Sequence, residues 1–456
     1  MRRIIIAILL CTFYFFSNAT EAPKYIFYFI GDGMGLGHVA STDTYLKSEQ
    51  GDSASLLMLK FPISTICSTF SANSPVTDSA AAGTALATGS KTKNYMLGMN
   101  PDSIPVESIA KFFHDKGYGI GLITNVCPDD ATPGAFYSHV PNRNMFYEIG
   151  CQAAESDYEF IAGSRWRGAD GTDLMELMNQ KGIQTLYGLD NINKIDSRRV
   201  VVLNTDTINN NSGYTIDNYN NSFDLSKLTN QCIKHLNEYT PDKFFIMIEG
   251  GNIDWGGHAN DGVTVIKEII NFNKAIFEAY DFYLKHPDET LIIVTADHET
   301  GGMTLGNNAT GYNAFMNYAR YVNMSKDKFS EYCKDLLSSN LDYSWTEMKD
   351  FLNKNMGFWN YIPISSEDEK LLIDSFQITF NNHESMEDET LYNTYNDFAV
   401  NVFAIIDKKC GFGWTSKAHT GNPVGLYCVG KEADKFKTVR DNTEIPILIK
   451  ELAVID

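Results

Sequence analysis

The sequence predicts an α/β fold, a three-layer sandwich whose central, mostly parallel sheet carries helices on both faces. Two observations predict it. Apolar, β-rich runs occupy 25–30, 118–124, 200–203, 244–248, 291–295 and 424–429, and helical patterns such as 106–116 and 263–284 lie between several of them. Strands that are apolar throughout, instead of alternating, are covered on both faces, as parallel strands joined by helices are. The second observation concerns the loops at the ends of these runs. Gly31-Asp32-Gly33-Met34-Gly35 comes after the first, and Asn125 with Asp130-Ala131-Thr132 after the second. Glu249 and Asp254 come after the fourth, and Asp297-His298-Glu299 after the fifth. Ligands of open parallel sheets sit outside the carboxyl ends of the strands. Solvated loop charge explains one such loop, but not four at one edge, two of them with histidine.

The remaining segments fit around that core. The chain has 456 residues, 43% of them apolar and 12% aromatic, enough for a large core. Its formal charge of −20 and lack of a basic stripe exclude nucleic acid as the expected partner. Arg2 and Arg3, the short apolar run 4–16 and Ser17-Asn18-Ala19 read as a cleaved export signal over 1–19. This predicts a periplasmic or secreted mature chain, 20–456, without stable membrane insertion. Seven cysteines follow the signal, widely spaced and without a CxxC, which excludes a zinc ribbon or a dense disulfide scaffold. An oxidising compartment leaves room for one or two disulfides, Cys127–Cys151 being a plausible local pair, and the odd number leaves at least one thiol free. The stretch 307–417, rich in Asn, Tyr, Lys and Asp and weak in strand periodicity, reads as an insertion. The Asn-rich stretch 205–224 reads as a surface loop.

The candidate chemistry starts at Val76-Thr77-Asp78-Ser79, which opens a run of small residues. A hydroxyl at a helix N-terminus meets unpaired N–H groups and the positive dipole end, which suits an anion. The alternative is Asp78 or Ser79 as a simple cap of a buried Ala-rich helix. In Glu249-Gly-Gly-Asn-Ile-Asp254-Trp255-Gly-Gly-His258, Asp254 and His258 stand four apart, so one turn can aim both at one ion. Asp297-His298 and the late His419 extend that zinc-type set. Asp130, Thr132 and Glu249 are hard oxygen donors suited to Mg²⁺. Arg143, eleven residues beyond Thr132, is the natural bidentate clamp for a phosphate.

Six segments, in order along nearly the whole mature chain, resemble the alkaline phosphatase family. They are Gly31–Gly35, 76–89, Asp130-Ala131-Thr132-Pro133 through Arg143, 249–258, 295–302 and Ala418-His419-Thr420-Gly421. The resemblance implies hydrolysis of small phosphate monoesters through a covalent phosphoserine on Ser79. It implies that Asp254, His258 and His419 hold one Zn²⁺, and Asp32, Asp297 and His298 a second. Asp32 would bridge to a Mg²⁺ completed by Asp130, Thr132 and Glu249, while Arg143 binds two phosphate oxygens. It further implies a crown-like or interface role for the insertion 307–417 and a possible homodimer. Trp255 departs from relatives with Lys or His there; it reads as an aromatic substrate wall or as a lost phosphate contact. Asp78 is a cap or an orienter of Arg143. Two rival readings stay open: a phosphodiesterase of the same superfamily, and an exported metal- or phosphate-binding protein without chemistry.

Overall fold

The computed structural model describes residues 22–205, 210–217, 224–339, 343–382 and 387–453. The predicted export signal, 1–19, lies outside them. A nine-stranded sheet organises the chain. Its strands are β1 (Tyr25–Gly31), β2 (Ile63–Cys67), β3 (Gly119–Thr124), β4 (Phe160–Gly163), β5 (Gln184–Tyr187), β6 (Val200–Leu203), β7 (Phe244–Glu249), β8 (Thr290–Ala296) and the C-terminal strand Val424–Gly430. The order is β2, Val424–Gly430, β8, β1, β7, β3, β4, β6, β5. All neighbouring pairs are parallel except the two made by Val424–Gly430, which runs against both β8 and β2.

The six expected runs are all strands, with each end within one residue of its expected place. Sequence reading missed β2, β4 and β5, which are short; β2 and β5 are also edge strands with exposed or half-exposed residues and so lack the continuous apolar signal. The expected helices appear as Ile109–Asp115 and Gly262–Tyr283. β1, β3, β7 and β8 are buried along their entire lengths. Phe245 of β7 stacks on Phe113 at 5.6 Å and 8°, tying helix Ile109–Asp115 to the sheet. The register decides where the site falls. Ile30 pairs with Glu249 and with Thr295, and Thr124 pairs with Glu249. Four carboxyl ends therefore finish level, as the carboxylate-bearing loops required.

Within 307–417, four helices, Lys326–Ser338, Trp345–Met356, Ser366–Phe376 and Asp397–Cys410, pack on one another, and no described strand of the stretch joins the nine-stranded sheet. No helix among the described residues is long and apolar enough to cross a membrane.

Two expectations need correction. Cys127 and Cys151 are not paired; all seven described cysteines are free. Cys127 is buried against Ser164 and the Asn210 carbonyl, which hold its Sγ at 3.4 and 3.2 Å. The described part of the Asn-rich stretch is no surface loop. Tyr214 and Ile216 are buried, Asn211 bridges to Val126, and Thr215 N donates to Glu268 Oε1 at 2.6 Å. The polar composition serves buried hydrogen bonds, not solvent.

Burial pushes the Glu268 carboxyl up from 4.5 to about 7. A raised carboxyl pKa means the folded state resists ionisation, so stability is lost as pH rises from 4.5 through about 7. Glu268→Gln, which keeps an acceptor but no charge, should raise the thermal midpoint relative to wild type at pH ~8 and give no gain at pH ~4. Equal differences at both pH values would refute this account.

Candidate active site

Ser79 is the first residue of the helix Ser79–Thr88, all ten of whose residues are buried. Asp78 caps it, with Oδ1 accepting from Ala81 N at 2.9 Å. The small residues have a visible purpose. A Cβ on Gly83 would stand 3.2 Å from the Thr132 backbone, so the helix lies directly against the Asp130–Thr132 turn. The Ser79 hydroxyl is 1% exposed, and its Oγ sits 3.1 Å from His298 Nε2.

The strand ends deliver the rest. Asp32 follows β1, Glu249 ends β7 and Asp297-His298 follow β8. His298 Nε2 lies 3.3 Å from both Asp32 Oδ1 and Asp297 Oδ2. Asp254 and His258 share one face of the helix Asn252–Ala259, and His419 comes from the segment before the C-terminal strand. His258 Nε2 is 3.4 Å from Asp254 Oδ1 and 3.1 Å from His419 Nε2. His419 Nε2 is 3.5 Å from Asp254 Oδ1. The structure thus brings together both expected Asp/His sets, side by side, with the His298 and His419 rings stacked at 3.6 Å. Thr124 Oγ1 donates to Glu249 Oε2 at 2.5 Å, and Thr132 lies beside the same carboxylate.

Whether these residues suit metal ions can be judged from their free atoms. The Nδ1 of His258 faces the Lys417 carbonyl at 2.5 Å, and that of His419 the Thr77 carbonyl at 2.9 Å. A carbonyl partner requires Nδ1–H, which leaves each Nε2 lone pair aimed inward. Asp32 Oδ1, Asp297 Oδ2 and Thr132 Oγ1 are buried without a hydrogen-bond partner. Burial raises the Asp32 carboxyl well above its ordinary range, helped by Asp297, Asp254 and Glu249. Burial likewise pushes Glu249 to about 8 and Asp297 to about 7. Like charges packed this way in the protein alone lack a counter-charge, and orphan oxygens beside inward-facing imidazoles fit cations. Asp254 differs: burial opposes its charge, but His258, His419 and His298 hold its carboxyl far below the usual range.

Asp130 carries its own cations. Arg143 Nη2 donates to its Oδ1 at 2.9 Å and Arg167 Nη2 to its Oδ2 at 3.0 Å. Burial works against ionisation there, yet the two guanidiniums keep the carboxyl below its ordinary value. Asp78 both caps and orients: its Oδ2 accepts from Tyr95 N at 3.0 Å and faces Arg143 Nη1 at 3.5 Å.

Three contributors escaped sequence reading. Thr300 Oγ1 donates to Asp254 Oδ1 at 2.5 Å; its place three residues beyond Asp297 was the only signal. Tyr392 reaches in from the insertion, donating to Asp254 Oδ2 at 3.0 Å and stacking on Trp255 at 4.1 Å and 8°. One face of the Trp255 ring is therefore taken by Tyr392. Arg167 follows β4, and the strand-end rule would have found it had that four-residue strand been recognised. A cleft of about 1140 Å³ opens over the site, with Asp78, Arg143, Arg167, Trp255, Tyr392 and His419 in its wall.

The chain is similar to known proteins over most of its length. The sequence profile described as alkaline phosphatase matches residues 23–161 and 145–455. The chain is 28% identical to alkaline phosphatase 3 of Bacillus subtilis over 81% of its own length and 75% of the relative's. It is 25% identical to an alkaline phosphatase of Schizosaccharomyces pombe, over 94% of this chain and 81% of that one. Among solved structures, a cold-active alkaline phosphatase from a psychrophilic Shewanella superposes with a TM-score of 0.80 at 26% identity, covering 94% of this chain and 99% of the other. The Thermus thermophilus enzyme shares the fold at a TM-score of 0.76 and 21% identity, over 96% and 92% of the two chains. With the profile spanning nearly the whole described chain, this protein belongs to the alkaline phosphatase family.

Proposed function

We propose that the protein hydrolyses phosphate monoesters through a covalent phosphoserine on Ser79, releasing an alcohol and inorganic phosphate. The observation that carries the reading is the Ser79 hydroxyl at a helix N-terminus, 3.1 Å from Nε2 of His298, the ring common to two Asp/His clusters, Asp254–His298–His419 and Asp32–Asp297–His298. Asp254, His258 and His419 would hold one Zn²⁺, and Asp32, Asp297 and His298 a second. Asp32, Thr132 and Glu249, with Asp130 beside them, would hold a Mg²⁺. When bound, such ions supply Lewis acidity, lowering the pKa of hydroxyl groups and offsetting negative charge on phosphoryl oxygens.

The chain's own residues do the positioning. The Ser79 hydroxyl loses its proton and its oxygen bonds to phosphorus while the ester P–O bond breaks, the electron pair leaving on the alcohol oxygen, which takes up a proton from solvent. Water then adds its oxygen to phosphorus, and the Ser79 oxygen leaves and takes back a proton. Arg143, held by Asp130 and Asp78, presents its fork to two nonbridging phosphate oxygens. The Asp78 cap fixes Ser79, and Thr77 holds His419 through its carbonyl. Trp255, braced by Tyr392, forms a cleft wall beside the leaving group. The domain 20–456 would carry this chemistry, with the insertion 307–417 as a crown-like part that contributes Tyr392.

Ser79→Ala should lower the rate on 4-nitrophenyl phosphate by at least about a thousandfold with the fold intact by circular dichroism. An unchanged rate would exclude the serine as nucleophile, and an inactive wild type would favour a binding protein. Arg143→Ala should cost about 10²–10³-fold in kcat/KM. A bis(4-nitrophenyl) phosphate rate above that on the monoester would favour the phosphodiesterase reading instead.

Chelation should abolish activity, and elemental analysis of the purified protein should find two Zn²⁺ and one Mg²⁺ per chain. Full activity in a metal-free preparation would contradict the assignment of the acidic clusters.

A further inference from the structure

We infer that the hairpin 387–396 of the insertion is a retention clamp for the ion assigned to Asp254, His258 and His419, with Tyr392 as its positioning residue. The inference rests on that metal assignment and deepens it. The hairpin pairs Glu387–Glu389 with Thr394–Asn396, placing Asp388 opposite Tyr395. Its turn is tight. Thr390 N donates to the Asn393 carbonyl at 2.8 Å, which leaves Leu391 and Tyr392 at the tip. Its base is fastened to the rest of the insertion. Tyr395 is 2% exposed, and its hydroxyl donates to Asp327 Oδ1. Asn396 caps the helix Asp397–Cys410, accepting from Ala399 N at 2.9 Å, and Lys334 Nζ donates to the Thr394 carbonyl at 3.0 Å. A tip on such a base is held at one height above the site.

The hairpin then reaches the same metal set by two separate routes. The first is the tip. Oδ1 of Asp254 faces His258 Nε2 at 3.4 Å and His419 Nε2 at 3.5 Å, while Oδ2 accepts from the Tyr392 hydroxyl at 3.0 Å. Turning the carboxylate away from the imidazoles therefore breaks the Tyr392 bond. The Tyr392 ring also stands edge-on to His258 at 5.2 Å and 81°, backed by Trp255, and limits the swing of that imidazole. The second route is the first strand. Asp388 pairs with Lys417 Nζ, and the Lys417 carbonyl accepts from His258 Nδ1 at 2.5 Å. That contact sets the tautomer that keeps Nε2 aimed inward.

A buried lysine of the insertion supports both routes. Lys326 is 2% exposed, lies over the Tyr395 ring at 4.5 Å and donates from Nζ to the Ala259 carbonyl at 2.9 Å. Ala259 directly follows His258. The insertion thus holds the helix Asn252–Ala259 at Asp254, His258 and Ala259. An ion leaves its site when one of its ligands swings aside, and partners behind the ligands oppose that motion. No hydrogen bond from the hairpin to Asp32, Asp297 or His298 occurs among the described residues, so the clamp acts on one ion of the two.

The test loads wild type, Y392F and D388A with zinc and magnesium, then follows zinc release to an excess of the chromogenic chelator pyridylazoresorcinol. In Y392F one zinc equivalent should leave at least about tenfold faster than in wild type, while the other keeps its wild-type rate. D388A, which frees Lys417 but keeps the tyrosine, should speed the same equivalent by about two- to fivefold. A wild-type release rate in Y392F overturns the clamp. Equal acceleration of both equivalents also overturns it, because a merely structural tyrosine loosens the whole site. Should D388A fail to fold, Y392F alone decides. A wild type that takes up no zinc defeats the metal assignment and the clamp with it, whereas zinc bound and released alike in all three proteins defeats the clamp alone.

Discussion

Everything at this site depends on the crowding of buried carboxylates. Asp32, Asp130, Glu249, Asp254 and Asp297 are all at most 6% exposed and lie at one edge of the sheet. Removing an ion from water costs several kcal/mol even after relaxation, and like charges side by side add to that. A fold bears such an arrangement only with counter-charges in place. The protein itself supplies one kind: Arg143 and Arg167 neutralise Asp130, while the imidazoles of His258 and His419 beside Asp254 offer Nε2 lone pairs, not fixed charge. Asp32 and Asp297 share the one buried His298 ring, 3.3 Å from each, and Glu249 accepts from the Thr124 hydroxyl, so burial and like charge hold all three carboxyls high in the protein alone and the cluster calls for metal ions.

The sheet makes this crowding possible without long, flexible connections. Level registration of β1, β3, β7 and β8 sets their last residues side by side, and each loop then needs only a few residues to bring its carboxylate in. The backbone itself approaches closely. Gly33 has φ of 70°, and a Cβ there would come within 2.9 Å of the Asp254 backbone and 2.7 Å of Thr300 Oγ1. Only glycine adopts that turn while leaving room for the neighbouring loop. The small-residue helix after Ser79 does the same on the other side, where Gly83 meets the Thr132 turn.

This logic explains what was legible in the sequence. Asp32, Glu249, Asp254 and Asp297-His298 stand within a few residues of long apolar runs, so strand ends advertise them. Ser79 stands out by the small residues behind it. Residues reached through weak or irregular elements do not announce themselves. Arg167 follows a strand of four residues, and Tyr392 sits in the insertion beside a three-residue strand pair. Their roles come from tertiary approach, which no local period records. The stretch 210–217 shows the converse error: asparagine and threonine suggest solvent, yet here they satisfy buried partners such as Glu268 and Cys127.

Asp130 shows how the electrostatics and the geometry are one device. Two guanidiniums facing the same cleft would repel each other if nothing stood between them. A carboxylate with one oxygen turned to each removes that repulsion and fixes both planes at once. Each arginine gives Asp130 a single Nη, and Arg143 turns its other Nη toward Asp78. Asp78 and Asp129 complete the arrangement from behind, the first through Arg143 Nη1 and the second through the backbone of Arg167. The two guanidiniums are thus placed by carboxylates, with Asp78 and Asp130 matching their charge, and a chain with a formal charge of −20 still lines its cleft with arginine N–H donors.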